Sequence, residues 1–162
     1  MRLFIAIQLS EALRDVICQI QEDYARQGVQ GNFTKRENLH LTLAFIGEYS
    51  DPDRVLEVMA TIPVQPFELR LSGIGAYGDL WWVGLEESEP LKGYVRALRH
   101  ALAEAGIPFD RKRFAPHITF VRRAEKGNRW RTGVSPKGDM VVNHVSLMRS
   151  DRGKYGMIYT EL

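Results

Sequence analysis

A single cysteine, Cys18, stands among 162 residues, so no disulfide can form within the chain and a reducing, cytoplasmic setting is expected. Cys18 falls in an amphipathic pattern and reads as a small buried hydrophobe. No cysteine and histidine spacing resembles a zinc cluster, so neither a metal nor another cofactor is signalled. No segment is long and apolar enough to span a membrane, and the N-terminal run Leu3–Ile7 is too short for a signal segment and soon meets Glu11. A net charge of only +2 excludes a strongly basic polyanion binder. The apolar share, 44%, is ordinary and argues against disorder. The length suits one domain over residues 1–162, built as two lobes around a shared core.

What charge there is lies unevenly. Arg111, Lys112, Arg113, Arg122, Arg123, Lys126, Arg129 and Arg131 crowd one stretch, opposed locally only by Asp110 and Glu125. Such a stretch is ordinarily a solvated surface; beside a catalytic group it would attract a phosphate-bearing partner.

Periodicity divides the chain into strands and helices. Arg2 to Gln8 reads as a buried strand. Ser10 caps a helix whose Leu13, Val16, Ile17, Ile20 and Tyr24 recur at helical spacing to about Gln27. Leu39 to Ile46 is a strand ended by Gly47. Ser50, Pro52 and Asp53 open a second helix, with Ser50 as the cap. Phe67 to Ser72 and Leu80 to Leu85 are strands, with Gly73, Gly75 and Gly78 as turns between them. Ser88 and Pro90 open a third helix with Leu91, Tyr94, Val95, Leu98 and Leu102 on its buried face, and Gly106 ends it. Phe114 to Arg122 is a strand, Glu125 to Lys137 a loop, and Val141 to Arg149 a strand. A hairpin at Asp151–Lys154 returns through Tyr155 to Leu162. The mixture gives an α+β fold with antiparallel or mixed sheets.

One pattern occurs twice. His40-Leu41-Thr42-Leu43 and His117-Ile118-Thr119-Phe120 both read His-apolar-Thr-apolar. On a strand, alternate residues share a face, so each copy sets an imidazole and a hydroxyl on one side and two apolar groups on the other. A single copy is ordinarily structural. Two copies, each on a strand, would bring two imidazoles and two hydroxyls to one cleft, and imidazole is the group most easily poised as acid or base near neutral pH. His100, in the third helix, and His144, between Asn143 and Val145, have no such companion and read as structural. Phe45 falls on the apolar side of its strand. Trp81 and Trp82 alternate, so one of them can face the cleft and stack on a base.

With these flanks the sequence resembles the 2H phosphoesterases, and among them the bacterial and archaeal RNA 2′,3′-cyclic phosphodiesterases, historically called 2′-5′ RNA ligases. The resemblance is carried by Arg2–Ile7, by Glu37–Gly47 with Asn38 before the first motif, by Phe114–Arg122 with Pro116 before the second histidine, and by the Ser150–Leu162 hairpin with Gly153 and Tyr155. Phe120 stands where leucine is commoner and keeps the position apolar.

The resemblance implies a bilobal α+β fold with two antiparallel sheets lining a central cleft and helices outside. It implies metal-independent hydrolysis of 2′,3′-cyclic phosphate ends of RNA to 2′-phosphomonoesters. His40 would be the proton donor and His117 the proton acceptor, while Thr42, Thr119 and Arg122 would bind the phosphate. From the residues alone the two histidine roles are interchangeable. The same groups run backwards would join a cyclic phosphate to a 5′-hydroxyl, a 2′-5′ ligation disfavoured in water. The expected partner is RNA or an oligonucleotide with a cyclic phosphate end, and the expected protein is a cytoplasmic monomer. The alternatives are a cyclic phosphodiesterase acting on a small nucleotide metabolite and a non-catalytic RNA-end binder.

Overall fold

The computed structural model describes residues 1–125 and 135–162. Lys126, Arg129 and Arg131 of the basic stretch, and most of the Glu125–Lys137 loop, lie outside the described residues.

The order of elements is β1 (Arg2–Gln8), α1 (Glu11–Arg26), β2 (Asn32–Phe33), a short 3-10 turn (Arg36–Asn38), β3 (His40–Glu48), α2 (Pro52–Ala60), β4 (Phe67–Tyr77), β5 (Leu80–Leu85), α3 (Glu89–Glu104), β6 (Ile118–Arg122), β7 (Asp139–Val142), β8 (Ser146–Gly153) and β9 (Gly156–Glu161). They form two sheets. One has four strands in the order β3-β1-β8-β9, the other five in the order β2-β6-β5-β4-β7. Among the described residues every strand pairing is antiparallel.

The helices start where small polar side chains can take an otherwise unpaired backbone N–H. Ser10 accepts from the Leu13 amide and Ser88 from the Leu91 amide. At α2 the cap is Asp51, accepting from Arg54, and not Ser50: Pro52 in the first turn fixes the start one residue later than expected. Leu13, Ile17, Ile20 and Tyr24 of α1 and Leu91, Val95, Leu98 and Leu102 of α3 are buried. They join Leu3, Ile5, Ile7, Leu41 and Leu43 of one sheet and Leu69, Trp81, Val83, Ile118 and Phe120 of the other in one continuous core. Each fully buried side chain of this size contributes about 1.5–3 kcal/mol relative to exposure. Tyr24 ties α1 to the second sheet, its ring 5.5 Å from Trp81 and 5.8 Å from Phe120. Cys18 is half-buried, since it sits at the border of the apolar face of α1, with Arg36 Nη1 4.0 Å from its Sγ.

Several boundaries differ from the sequence expectation. β4 runs on through Gly73 and Gly75 to Tyr77. Gly73, at φ +74°, sits in an extra residue of β4 between the Leu71 and Ile74 pairings, so it makes a bulge instead of a turn. Gly75 lies inside the sheet because the Trp82 indole covers it: a Cβ there would be 2.3 Å from Trp82 Cζ2. Gly47, expected to end β3, is within it. The expected strand Val141–Arg149 is two strands in different sheets, β7 beside β4 and β8 beside β1. His144 lies in the crossing between them and not within a strand, its Nε2 2.7 Å from Glu161 Oε2, the contact of a satisfied structural residue. His100 is exposed on α3, 3.8 Å from Glu104. Among the described residues, no helix is long and apolar enough to cross a membrane.

Candidate active site

β3 begins at His40, whereas β6 begins at Ile118, so the second histidine stands just before its strand and not inside it. Burial alternates through both motifs all the same. Leu41, Leu43, Ile118 and Phe120 are fully buried, and His40, Thr42, His117 and Thr119 turn to the other face.

After each threonine the alternation breaks in the same way. Ile5 pairs with Ala44 but Ala6 pairs with Thr42, leaving Leu43 as an extra residue in β3. Trp81 pairs with Val121 but Trp82 pairs with Thr119, leaving Phe120 as an extra residue in β6. A bulge of this kind shifts the phase of a strand by one position. Leu43 and Ala44, and likewise Phe120 and Val121, are therefore consecutive buried residues. The next residues, Phe45 and Arg122, return to the inner face. Phe45 is thus not a core residue of the β3 apolar side, as simple alternation had it: it borders the cavity that holds His40, where Arg2 lies 5.1 Å from its ring centre. Each bulge is held from behind by a helix side chain. Arg99 of α3 donates to the Leu43 carbonyl from Nε at 3.2 Å and Nη2 at 3.0 Å, and Gln21 of α1 donates to the Phe120 carbonyl at 3.0 Å.

The two imidazoles are mounted alike. Nδ1 of His40 is 2.7 Å from the Asn38 carbonyl, and Nδ1 of His117 is 2.7 Å from the Ala115 carbonyl. A carbonyl only accepts, so Nδ1 carries the proton in both rings and Nε2 is the nitrogen left for chemistry. Asn38 is itself fixed, its side-chain amide donating to the Met157 carbonyl at 2.9 Å. Aromatic rings steady each imidazole. Phe4 lies 5.0 Å and Tyr159 5.3 Å from His40, and Tyr77 lies 5.4 Å and Trp82 6.3 Å from His117. Trp82 is therefore the tryptophan on the inner face, while Trp81 is in the core. Phe4, Tyr77 and Tyr159 were not singled out from the sequence. Their only signal there is position, an aromatic at the inward phase of a strand.

A cavity of 690 Å³ is lined by His40, Thr42, Phe45 and Arg122 among others, a size suited to a nucleotide-sized ligand. His117 and Thr119 do not line it; the neighbours of His117 are Tyr77 and Trp82. Burial pushes the His40 imidazole below its ordinary value of 6.5; the Asn38 carbonyl opposes this, and the charges of Arg122 and His117 add to the lowering. Thr42 Oγ1 is 2.9 Å from His40 Nε2. Among the described residues no group of three or more His, Cys, Asp or Glu could hold a metal ion.

Two antiparallel sheets, each carrying a His-apolar-Thr segment, are the architecture of the two-histidine (2H) phosphoesterases. The family model described as the 2'-5' RNA ligase superfamily matches residues 8–154, and the chain belongs to that superfamily. Among its relatives, a protein of Methanothermobacter thermautotrophicus named RNA 2',3'-cyclic phosphodiesterase is 31% identical over 179 residues, spanning 99% of this chain and 96% of its own length. One of Escherichia coli with the same name is 33% identical over 132 residues, spanning 77% of this chain and 73% of its own. The crystal structure of E. coli LigT complexed with 3'-AMP matches with a TM-score of 0.87 and 28% identity, over 99% of this chain and 94% of that one.

Proposed function

We propose that this protein hydrolyses the 2′,3′-cyclic phosphate at an RNA 3′ end to a 2′-phosphomonoester, without a metal. The observation that carries the reading is the matched mounting of the two imidazoles, each with Nδ1 bound to the carbonyl two residues earlier at 2.7 Å, so that Nε2 is the nitrogen that can exchange a proton with substrate. The names of the relatives support the substrate class.

Water attacks phosphorus and its proton passes to His117 Nε2. The P–O3′ bond breaks on the far side, and O3′ takes a proton from His40 Nε2. Thr42 and Thr119 donate to the non-bridging oxygens, and Arg122 adds a charge-assisted contact. Burial, with the charge of Arg122 added to it, favours neutral His40 in the free protein. An anionic phosphate seated beside Arg122 offsets its charge and readies His40 as the donor. With a 5′-hydroxyl in place of water, the same transfers would form a 2′-5′ phosphodiester. The two sheets act as two lobes of one domain, supported by their common core. A monomer in the cytoplasm completes the reading; the lone cysteine suits the reducing compartment.

The test is a defined RNA carrying a 2′,3′-cyclic phosphate, with the product analysed for phosphate position. Wild type yields the 2′-phosphate, with or without EDTA. His40→Ala and His117→Ala each lose about 10²–10⁴-fold in turnover while remaining folded. A folded single variant with full activity, or a 3′-phosphate product, would overturn the mechanism.

A further inference from the structure

The cavity beside His40 does not stop at Arg122. Arg122, Met157 and Tyr159 form a wall shared with a second cavity of 500 Å³. The edge strand β2, through Asn32 and Phe33, makes one side of it, and the β8–β9 turn, through Tyr155, makes the other. Three rings border this space: Phe33, Tyr155 and Tyr159. Two cations border it as well, Lys35 and Arg122. Among the described residues no acidic side chain lines it, in contrast to the first cavity, where Glu48 and Asp151 take part. Among the described residues neither Lys35 nor Arg122 is paired with a carboxylate. The Tyr155 ring is 77% exposed, with Lys154 Nζ 5.6 Å from its centre. An exposed ring at the rim of a cationic groove, continuous with a phosphate site, has the chemistry that binds single-stranded nucleic acid: a face for a base and a charge for a phosphate.

We propose that the second cavity seats the nucleotide next to the terminal one. RNA would then lie across two chambers, with the cyclic phosphate at His40 and Arg122, the penultimate base against Tyr155, and the linking phosphate at Lys35. This rests on the cyclic phosphodiesterase reading, and it makes an oligonucleotide, not a mononucleotide, the preferred substrate.

The experiment compares kcat/KM for a mononucleotide 2′,3′-cyclic phosphate with that for a dinucleotide ending in one. Wild type prefers the dinucleotide by about tenfold or more, the scale of one stacked base. Tyr155→Ala brings the dinucleotide value down towards the mononucleotide value, and Tyr155→Phe, which keeps the ring, restores it. Lys35→Gln reduces the slope of log affinity for the dinucleotide against log salt by about 0.7, the signature of one lost phosphate contact on a single strand. Equal values for the two substrates in wild type, a preference that survives Tyr155→Ala, or an equal fractional loss on both substrates would each overturn the proposal. If neither substrate is cleaved, the catalytic reading fails, and calorimetric titration with the dinucleotide 2′-phosphate decides about the chamber: Tyr155-dependent binding upholds it, and binding indifferent to Tyr155, or none, refutes it.

Discussion

Arg99→Met removes the guanidinium that holds the β3 bulge while leaving much of the aliphatic stem in place. Arg99 donates twice to the Leu43 carbonyl, at 3.2 and 3.0 Å, and once to the Lys112 carbonyl, at 2.7 Å. Leu43 is fully buried, whereas the Lys112 contact is exposed and water can replace it. Hydrogen bonds to charged groups are worth about 1.5–3 kcal/mol, so with Arg99 itself half-buried the lower part of that range applies, about 2 kcal/mol. For a chain of this size that lowers Tm by about 4–8 °C. Urea unfolding followed by circular dichroism should show the midpoint falling with the slope unchanged. The bulge also sets the phase that brings Phe45 to the inner face beside His40 and Thr42. A shift of about 1 Å there costs up to about 10²-fold in turnover, so kcat should drop in protein that is still folded. Arg99→Lys should recover little, because an ammonium lacks the guanidinium's fork. An Arg99→Met protein with an unchanged urea midpoint and unchanged kcat would refute the view that the guanidinium pins the bulge.

Two further predictions follow from the site. The His40 imidazole, followed by NMR, should titrate below 6.5 and move up in Arg122→Gln, because burial and the neighbouring cations disfavour its charged form; a value at or above 6.5 in wild type would contradict this. Between its lowered folded value and 6.5 the unfolded chain binds more protons, so the contribution of His40 to stability is complete above 6.5 and is lost as pH falls through the folded value. Gly75→Ala would set a Cβ 2.3 Å from Trp82 Cζ2, so the indole must move off the sheet. Tryptophan fluorescence should change and turnover should fall, since Trp82 flanks His117; an unaltered spectrum would show that the indole does not rest on Gly75.

Most of the elements were legible from local chemistry. Ser10 and Ser88 announce their helices because a hydroxyl placed there takes a backbone N–H three residues on. Leu41, Leu43, Ile118 and Phe120 announce the core side because strand residues alternate. Where the chain changes sheets was not legible. Val141 to Arg149 alternates well enough for one strand, yet it serves β4 with its first part and β1 with its second. Alternation describes a face and not the neighbour that the face meets.

The repeated His-apolar-Thr pattern determined by itself that an imidazole and a hydroxyl share each inner face, because side-chain direction along a strand is a local property. The flanks of that pattern were enough to identify the family. Tertiary structure alone decided which further residues join them. The extra residues Leu43 and Phe120 shift the phase after each motif, and this turns Phe45 and Arg122, five positions after their histidines, towards the cavity. Tertiary structure likewise made the two histidines unequal. One is half-buried between Phe4 and Tyr159 with Arg122 near by, and the other lies beside Tyr77 and Trp82. Identical local patterns acquire different surroundings because neighbours in space belong to the packed whole.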